Sequence, residues 1–226
     1  MSWSRYLWPM LLSCACGDVA PLPPTAPSAP SAPSTWVALP PAAPTTVDVS
    51  KLPSRESLPV LGPSLFQLSL ALEDQDGRAL DLASLTHDGP TIVTMFYASC
   101  DYACPTLIRD VVAIDERLSP EARAKTRIVL VTIDPERDTP AVMTRLREGH
   151  GVAEPRWTFA RAKGEEPTRE LAAAIGLTYR RLPDGNYNHS SILLALDASG
   201  QQRARIDGLK QDATAFVTTL EVLARP

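Results

Sequence analysis

The sequence predicts an α/β fold, in which helices cover a sheet whose strands are joined by crossover connections. Two runs of apolar and β-branched residues, TIVTMFY at 91–97 and RIVLVTID at 127–134, have the length of strands. Neither run alternates polar with apolar residues, as expected of central strands that are covered on both faces. Segments with a helical spacing of apolar residues follow each of them, and this alternation of strands and helices is typical of an α/β sheet.

The predicted elements run from about Leu58 to the C-terminus. LFQLSLALED alternates well enough for a strand, and DQDG supplies a turn after it. A helix from about Ala103 to Leu118 has its apolar positions largely on one side. In DTPAVMTRLREGHG an Asp or Thr cap, Pro140 in the first turn and a glycine stop mark another helix. The remaining elements are the strand WTFARA, the helix PTRELAAAIG, the strands SSILLALD and QRARIDG, and a final helix through DATAFVTTLEVLA.

Residues 1–17 resemble a bacterial lipoprotein signal. A single positive residue, Arg5, precedes a short apolar segment that ends in LLSC, so Cys14 is the expected lipidation site and Cys16 a second candidate. The apolar segment is far shorter than the roughly 20 residues that cross a bilayer. We therefore expect an exported lipoprotein of the cell envelope, anchored to the membrane and facing the periplasm. The alternative is that both thiols are incidental features of a leader.

Residues 18–57 are dominated by Pro, Ala, Ser and Thr and carry about half of the chain's 22 prolines. Proline removes backbone donors and fixes φ, which favours extended, solvated conformations over packed elements. We expect this segment to be a linker between the signal and a folded domain at 58–226. It serves either as a semi-rigid tether from the membrane or as a linker without special reach.

Composition limits the partners that the chain can have. With 226 residues, 44% of them hydrophobic and 21% charged, the chain can bury one good core. The net charge of -4 and the lack of a basic stripe with interleaved aromatic residues argue against binding to nucleic acid.

Two cysteines, Cys100 and Cys104, follow the first central strand and precede Pro105. Ligands of open α/β sheets bind at this carboxyl edge, and residues four apart on a helix have neighbouring side chains. A helix N-terminus also favours the thiolate. From the residues alone, the pair is a metal clamp, a redox couple or a structural bridge.

Three blocks resemble the Sco/SenC family of thioredoxin-fold copper proteins, which take part in assembling the dinuclear copper centre of cytochrome oxidase. They are FYASCDYACP, VTIDPERDTP at residues 131–140 and NHSSILLALDASG at 188–200. The resemblance implies a thioredoxin-like fold with a central mixed sheet flanked by helices. It also implies that Cys100, Cys104 and His189 bind copper, as Cu(I), Cu(II) or both. The implied function is delivery of copper to cytochrome c oxidase subunit II, directly or through its copper-delivery partners.

Other functions fit the same cysteine pair. A thiol-disulfide oxidoreductase acting on cysteines of the oxidase or of other exported proteins would use a redox disulfide between Cys100 and Cys104. Such enzymes, however, usually have C-x-x-C and a cis-proline where this chain has NYNH. A purely structural disulfide would close too short a loop to restrict the unfolded chain much. Zinc competes with copper for such ligands, but a structural zinc site usually has a fourth protein ligand.

The remaining candidates are expected to have simpler roles. His87 and His150 lie in a turn and a helix stop, which predicts solvated surface residues. Asp134 and Asp138 follow a strand end at the same edge as the cysteines, where either could accept hydrogen bonds from the ligands or act as a weak ligand, but Asp138 is expected to cap the next helix. Tyr102 could shield a metal or lie exposed.

Overall fold

Strands and helices alternate along the chain in the computed structural model, which describes residues 51–85, 88–100, 102–152 and 155–225. The predicted signal, Cys14, Cys16, most of the predicted linker and His87 lie outside these residues. The strands are β1 Leu72–Asp74, β2 Ala79–Leu80, β3 Thr91–Phe96, β4 Arg127–Thr132, β5 Trp157–Ala162, β6 Tyr179–Arg181, β7 Tyr187–His189, β8 Ile192–Leu196 and β9 Gln202–Asp207. The helices are α1 Ala103–Arg117, α2 Pro120–Lys125, α3 Pro140–Gly149, α4 Glu165–Ile175 and α5 Thr214–Leu223.

A mixed sheet forms the centre of the fold, with strand order β2-β1-β5-β4-β3-β8-β9. Strands β3, β4 and β5 run parallel, whereas β8 is antiparallel to β3 and β9 to β8. Every residue of β3 is buried, which explains its unbroken apolar and β-branched sequence. The predicted central strands are therefore confirmed.

The core lies on both faces of this sheet. Phe96 of β3 packs edge to face on Phe159 of β5, with ring centroids 5.4 Å apart. Helix α1 turns its apolar side to the sheet and buries Leu107, Ile108 and Val111. Burial of each such side chain contributes about 1.5–3 kcal/mol. This packing fixes the start of α1, and with it Cys104, relative to β3.

Three connections meet at one edge of the sheet. Phe96 and Thr132, the last residues of β3 and β4, are paired neighbours in the parallel ladder. Strand β8 runs the other way, so its first residue, Ile192, lies towards the same edge. The segments after β3 and β4, together with the β6–β7 hairpin that precedes β8, are thereby brought to one place.

The opposite edge receives the N-terminal residues of the described chain. Leu58 is buried with Val222 and Leu223 at the end of α5, and Leu52 packs against them. The guanidinium of Arg55 donates to the carbonyl of Leu223 at 2.9 Å. Lys125, which ends α2 just before β4, donates to the carbonyl of Ala224 at 3.0 Å. The first described residues thus pack at the amino ends of the parallel strands.

Some elements differ from the sequence-based prediction. The strand expected in LFQLSLALED is wrong for its first half, where Leu65–Gln67 form a 3-10 turn and the strand is only Leu72–Asp74. The side chain of Ser64 accepts the N–H of Phe66 and so starts that turn. The short helix α2 and the β6–β7 hairpin were not predicted. In the described part of the chain, no helix has the length and hydropathy needed to span a membrane.

Candidate metal centre

The loop between β3 and α1 places both cysteines. The N–H of Cys100 donates to the carbonyl of Tyr97 at 3.3 Å, which folds the chain back after β3. Cys104 lies in the first turn of α1, and its N–H donates to Sγ of Cys100 at 3.3 Å. Sγ of Cys104 in turn accepts the N–H of Tyr97 at 3.4 Å. Each sulfur therefore receives a backbone N–H, which favours the thiolate.

His189 is the last residue of β7 and stands opposite Tyr179 in the hairpin. Its Nδ1 lies 2.9 Å from the carbonyl oxygen of Ser190. Because a carbonyl only accepts, Nδ1 carries the proton and the lone pair belongs to Nε2. The ring is half-buried, and its hydrogen bond to Ser190 fixes its orientation, which leaves Nε2 as the nitrogen that can bind an ion.

The three predicted ligands come together. Their ligand atoms all lie within 4.8 Å of one another, and no other residue of the described ranges joins a group of this kind. Suppose that a three-coordinate ion lies in one plane with its ligands, about 2.3 Å from each sulfur and about 2.0 Å from the nitrogen. The ligand atoms are then about 4 Å from one another. The arrangement therefore fits a three-coordinate ion with little rearrangement.

The two thiols differ strongly in acidity, and both are free. The hydrogen bond from the Cys104 thiol, helped by the backbone N–H groups of Cys104 and Tyr102, lowers the pKa of Cys100 to about 4 against the opposing effect of burial. The same hydrogen bond and the deeper burial of Cys104 raise the pKa of its own thiol. The metal-free pair thus consists of a half-buried Cys100 thiolate and a buried Cys104 thiol that donates to it.

Two tyrosines surround the ligands and were missed by the sequence analysis. The ring of Tyr97 is buried and lies edge-on to Tyr187, at 5.3 Å between centroids, and to His189, at 5.5 Å. Burial, and then the neighbouring Cys100, raise the pKa of Tyr97 to about 12, so its phenol stays protonated. The available signal was positional, because Tyr187 precedes His189 by two residues and so shares its face of β7.

Asp138 ties the cysteine loop to β4, and the expectation that it caps α3 is wrong. The N-cap of α3 is Thr139, whose side chain makes no capping bond. Oδ2 of Asp138 instead accepts the N–H of Ala98 at 2.9 Å and the hydroxyl of Thr132. The side chain is buried, and burial raises the pKa of Asp138 although both hydrogen bonds oppose the shift.

Asp134 acts on the hairpin. Its carboxylate pairs with Arg137 and accepts the hydroxyl of Tyr187 at 3.4 Å. Arg137 also donates to the carbonyl of Gly185 at 2.6 Å and lies over the ring of Tyr187, 5.8 Å from its centroid. These contacts hold the strand that carries His189 beside the loop after β4.

Two further candidates are settled by exposure. Tyr102 is 70% exposed, so the alternative of an exposed aromatic residue is confirmed. His150 ends α3 and is half-buried, and burial, followed by the charge of Arg109, lowers its pKa. The prediction of a solvated His150 is therefore wrong in its degree of exposure, but His150 does stand apart from the ligand group.

Comparison with known proteins gives consistent matches. The family model described as SCO1/SenC matches residues 62–224. The SCO1 protein homolog of Bacillus subtilis (strain 168) is 21% identical over 113 residues, which are 50% of this chain and 58% of the relative. The chain therefore aligns with little more than half the length of that relative.

Solved structures support the fold. A SCO1/SenC family lipoprotein from Bacillus anthracis str. Ames has a TM-score of 0.65 at 14% identity, over 73% of this chain and 97% of that one. Bradyrhizobium japonicum ScoI with copper bound has a TM-score of 0.54 at 22% identity, over 68% of this chain and 96% of that one. The predicted thioredoxin-like fold, a central mixed sheet flanked by helices, is confirmed.

Proposed function

Because the chain belongs to the SCO1/SenC family, we propose that it is a metallochaperone that binds copper and delivers it to the dinuclear centre of cytochrome c oxidase subunit II. The observation that carries this proposal is the convergence of two sulfurs and one imidazole nitrogen within 4.8 Å. Solved relatives from Bradyrhizobium japonicum and yeast that contain bound copper support the choice of metal.

The donor set suits a copper ion that is held and then released. Two thiolates and an imidazole are soft ligands that bind Cu(I) well and also bind Cu(II), the tightest-binding divalent ion of its series. Structural zinc usually takes four protein ligands, and the described residues supply three here. A donor group of the receiving protein can occupy the position that remains open.

The surrounding residues prepare this ligand set. Asp138 holds the cysteine loop against β4, and the carbonyl of Ser190 orients the imidazole of His189. The raised pKa of Tyr97 keeps the nearest phenol protonated, so it does not compete as an anionic ligand. Cys104 is buried, whereas Cys100 and His189 are half-exposed, so a partner reaches the ion from their side.

The test is copper binding by the full chain with Cys14→Ser and Cys16→Ser, in which Cys100 and Cys104 are the remaining thiols of the four. With Cu(II) the protein should show a thiolate-to-copper charge-transfer band, and one equivalent of Cu(I) should bind. Cys100→Ser, Cys104→Ser and His189→Ala should each weaken binding sharply, whereas His150→Ala and His87→Ala should not. Unchanged binding in His189→Ala would contradict the proposed ligand set.

A second function, thiol-disulfide exchange, is favoured by the contrast between the two thiols. A half-exposed thiolate at Cys100 next to a buried thiol at Cys104 is the arrangement of a nucleophile and its resolving cysteine. Exchange needs only the cysteines, whereas copper delivery needs His189 as well. Full assembly of the oxidase copper centre in a His189→Ala strain without added copper, together with loss in a Cys100→Ser strain, would favour this second function.

We also propose that the chain is an exported lipoprotein, anchored through Cys14 and facing the periplasm. The LLSC sequence, the proline-rich residues 18–57 and the structural likeness to a family lipoprotein support this proposal. Leu52 and Leu58 pack at the edge of the sheet opposite the candidate metal centre, and β3, with six residues, separates the two edges by roughly 20 Å. Mass spectrometry of the mature N-terminus tests the anchor, and an intact unmodified N-terminus in a soluble fraction would contradict it.

A further inference from the structure

A groove of about 620 Å³ lies beside the metal centre, between α4 and β6. We call it the α4–β6 groove. Its floor and walls include apolar surface from Ile133, Ala172 and Leu177, and all three residues of β6 line it. Tyr187 of β7 also lines the groove and is the residue whose ring contacts Tyr97 of the metal centre.

The backbone N–H and C=O groups of β6 that point away from β7 have no hydrogen-bond partner among the described residues. The N–H of Ser190 donates to the carbonyl of Thr178, and that of Leu182 to the carbonyl of Asn186. Hydrogen-bonded pairs alternate in an antiparallel ladder, so Arg180 and Asn188 form the bonded pair between these two. The N–H and C=O groups of Tyr179 and Arg181 therefore point to the outer edge, where the described residues provide no further strand.

This outer edge faces the groove. Successive side chains of a strand point to opposite faces, so a cavity on one face of the hairpin would be lined by alternate residues from both strands. The α4–β6 groove is instead lined by the consecutive residues Tyr179, Arg180 and Arg181 and by a single residue of β7. An open strand edge beside a partly apolar groove is the arrangement that binds an extended peptide by strand addition.

Charge indicates which peptide fits. Arg169 is paired with Glu165, and Asp134 with Arg137. Arg180 and Arg181 are exposed and have no acidic partner among the described residues, while Glu136 contributes one exposed carboxylate. With these ion pairs set aside, two arginines and one glutamate remain unpaired at the groove, so the charges available to an occupant are mainly positive.

We propose that the α4–β6 groove binds an extended acidic segment of the protein that receives the copper, and that this segment adds to β6 as a third strand. The identity of the partner rests on the proposed function, whereas strand addition does not. Tyr187 lines the groove and lies on the same strand as His189, so the bound segment is placed next to the copper ligands.

The test uses the full chain with Cys14→Ser and Cys16→Ser and a blocked hexapeptide that alternates glutamate with valine. Binding should protect the amides of Tyr179 and Arg181 from hydrogen exchange, as measured by NMR. The amide of Arg180, already bonded within the hairpin, serves as an internal control. A matched lysine–valine peptide should bind at least about tenfold more weakly, since its lysines share one face of the added strand and meet the like charge of whichever of Arg180 and Arg181 lies on that face.

Arg181→Pro measures how much the backbone N–H of residue 181 contributes to peptide affinity. It removes an N–H that the hairpin does not use, and Arg181→Gln controls for the lost charge. Loss of one hydrogen bond should weaken binding in the Pro variant by about three- to tenfold relative to the Gln variant. Arg145→Gln, on the exposed side of α3, controls for net charge and should bind as the parent does.

Several outcomes would overturn the proposal. One is equal binding of the acidic and basic peptides, and another is equal binding by the Pro and Gln variants. Protection of Tyr179 and Arg181 that grows with protein concentration without peptide would assign the edge to a second copy of the chain. A Cys100→Ser/Cys104→Ser variant should still bind the acidic peptide. Peptide binding can therefore be tested independently of copper binding, and failure of one is distinguished from failure of the other.

Discussion

Replacing Asp138 tests whether one buried carboxylate positions the proposed copper ligands. Its Oδ2 accepts the N–H of Ala98, two residues before Cys100, and the hydroxyl of Thr132. In Asp138→Ala the buried hydroxyl of Thr132 loses its acceptor, at about 1–3 kcal/mol, and so does the half-buried N–H of Ala98, at about 1 kcal/mol, so the free energy of unfolding should fall by about 2–4 kcal/mol. In Asp138→Asn an amide oxygen can still accept, so the loss should be smaller.

The same change should weaken copper binding. Residues that orient a metal ligand typically contribute 10–100-fold to affinity, so Asp138→Ala should bind Cu(I) about 10–100-fold more weakly in a competition titration. The control is Asp115→Ala. Asp115 is as buried as Asp138 and pairs with Arg123 and Arg156, far along α1 from the cysteines. Because Arg123 and Arg156 are partly exposed, the loss of their acceptor should cost about 2–4 kcal/mol.

Comparing the two variants separates an effect of Asp138 on the position of the proposed ligands from an effect on the stability of the fold. Urea unfolding of both variants should show similar losses, while copper affinity should fall only in Asp138→Ala. If Asp138→Ala kept the parental affinity, or if Asp115→Ala lost as much affinity, the reasoning that Asp138 acts through the cysteine loop would be refuted.

Three further predictions follow from single contacts. Iodoacetamide alkylates the thiolate, so in metal-free protein with Cys14→Ser and Cys16→Ser the alkylation rate of Cys100 should stay high below pH 7 and fall only near pH 4. Cys104→Ala removes the thiol that donates to Cys100 and should move the midpoint of this pH profile upward. An unchanged midpoint would contradict the assignment of Cys104 as the donor. Gly200→Ala should destabilise by about 3 kcal/mol in urea, because φ is 79° and the added Cβ meets Phe66, whereas Gly77→Ala, at φ 76° in open space, should cost about 1 kcal/mol. Glu221→Ala leaves the N–H and hydroxyl of Ser119 without their acceptor and should cost about 2–4 kcal/mol, against less than about 1 kcal/mol for the exposed Glu121→Ala.

Long, strongly patterned elements could be predicted from the sequence. Strand β5 and helix α1 agree with their predicted bounds to within a residue, because burial on two faces or on one side leaves a clear pattern. The hairpin could not be found in this way. Its strands YRR and YNH have three residues each, are only partly buried, and are held by tertiary contacts that no local pattern records.

In the candidate site, too, some features follow from local sequence patterns and others depend on the tertiary fold. The spacing of Cys100 and Cys104 points to a shared ligand or a redox pair, but nothing local connects them to His189, which was assigned through the family resemblance. The role of Asp138 was misjudged for a related reason. A carboxylate just before Pro140 has the position of a helix cap, and only the fold reveals that it turns inward to Ala98 instead.

The three proposed copper ligands are held in place by contacts of very unequal strength, and under the proposed function this difference bears on how copper leaves. Cys104 belongs to a helix that packs on the central sheet, and Cys100 is bonded to the start of that helix. His189 lies on a two-stranded hairpin, a unit that has little stability by itself and is held here by Tyr97, Asp134 and Arg137. The imidazole is therefore the ligand that can move at the lowest cost. A segment added to β6 would act on the same hairpin, so docking of a partner and release of the histidine ligand would be coupled through the strand pair that carries both.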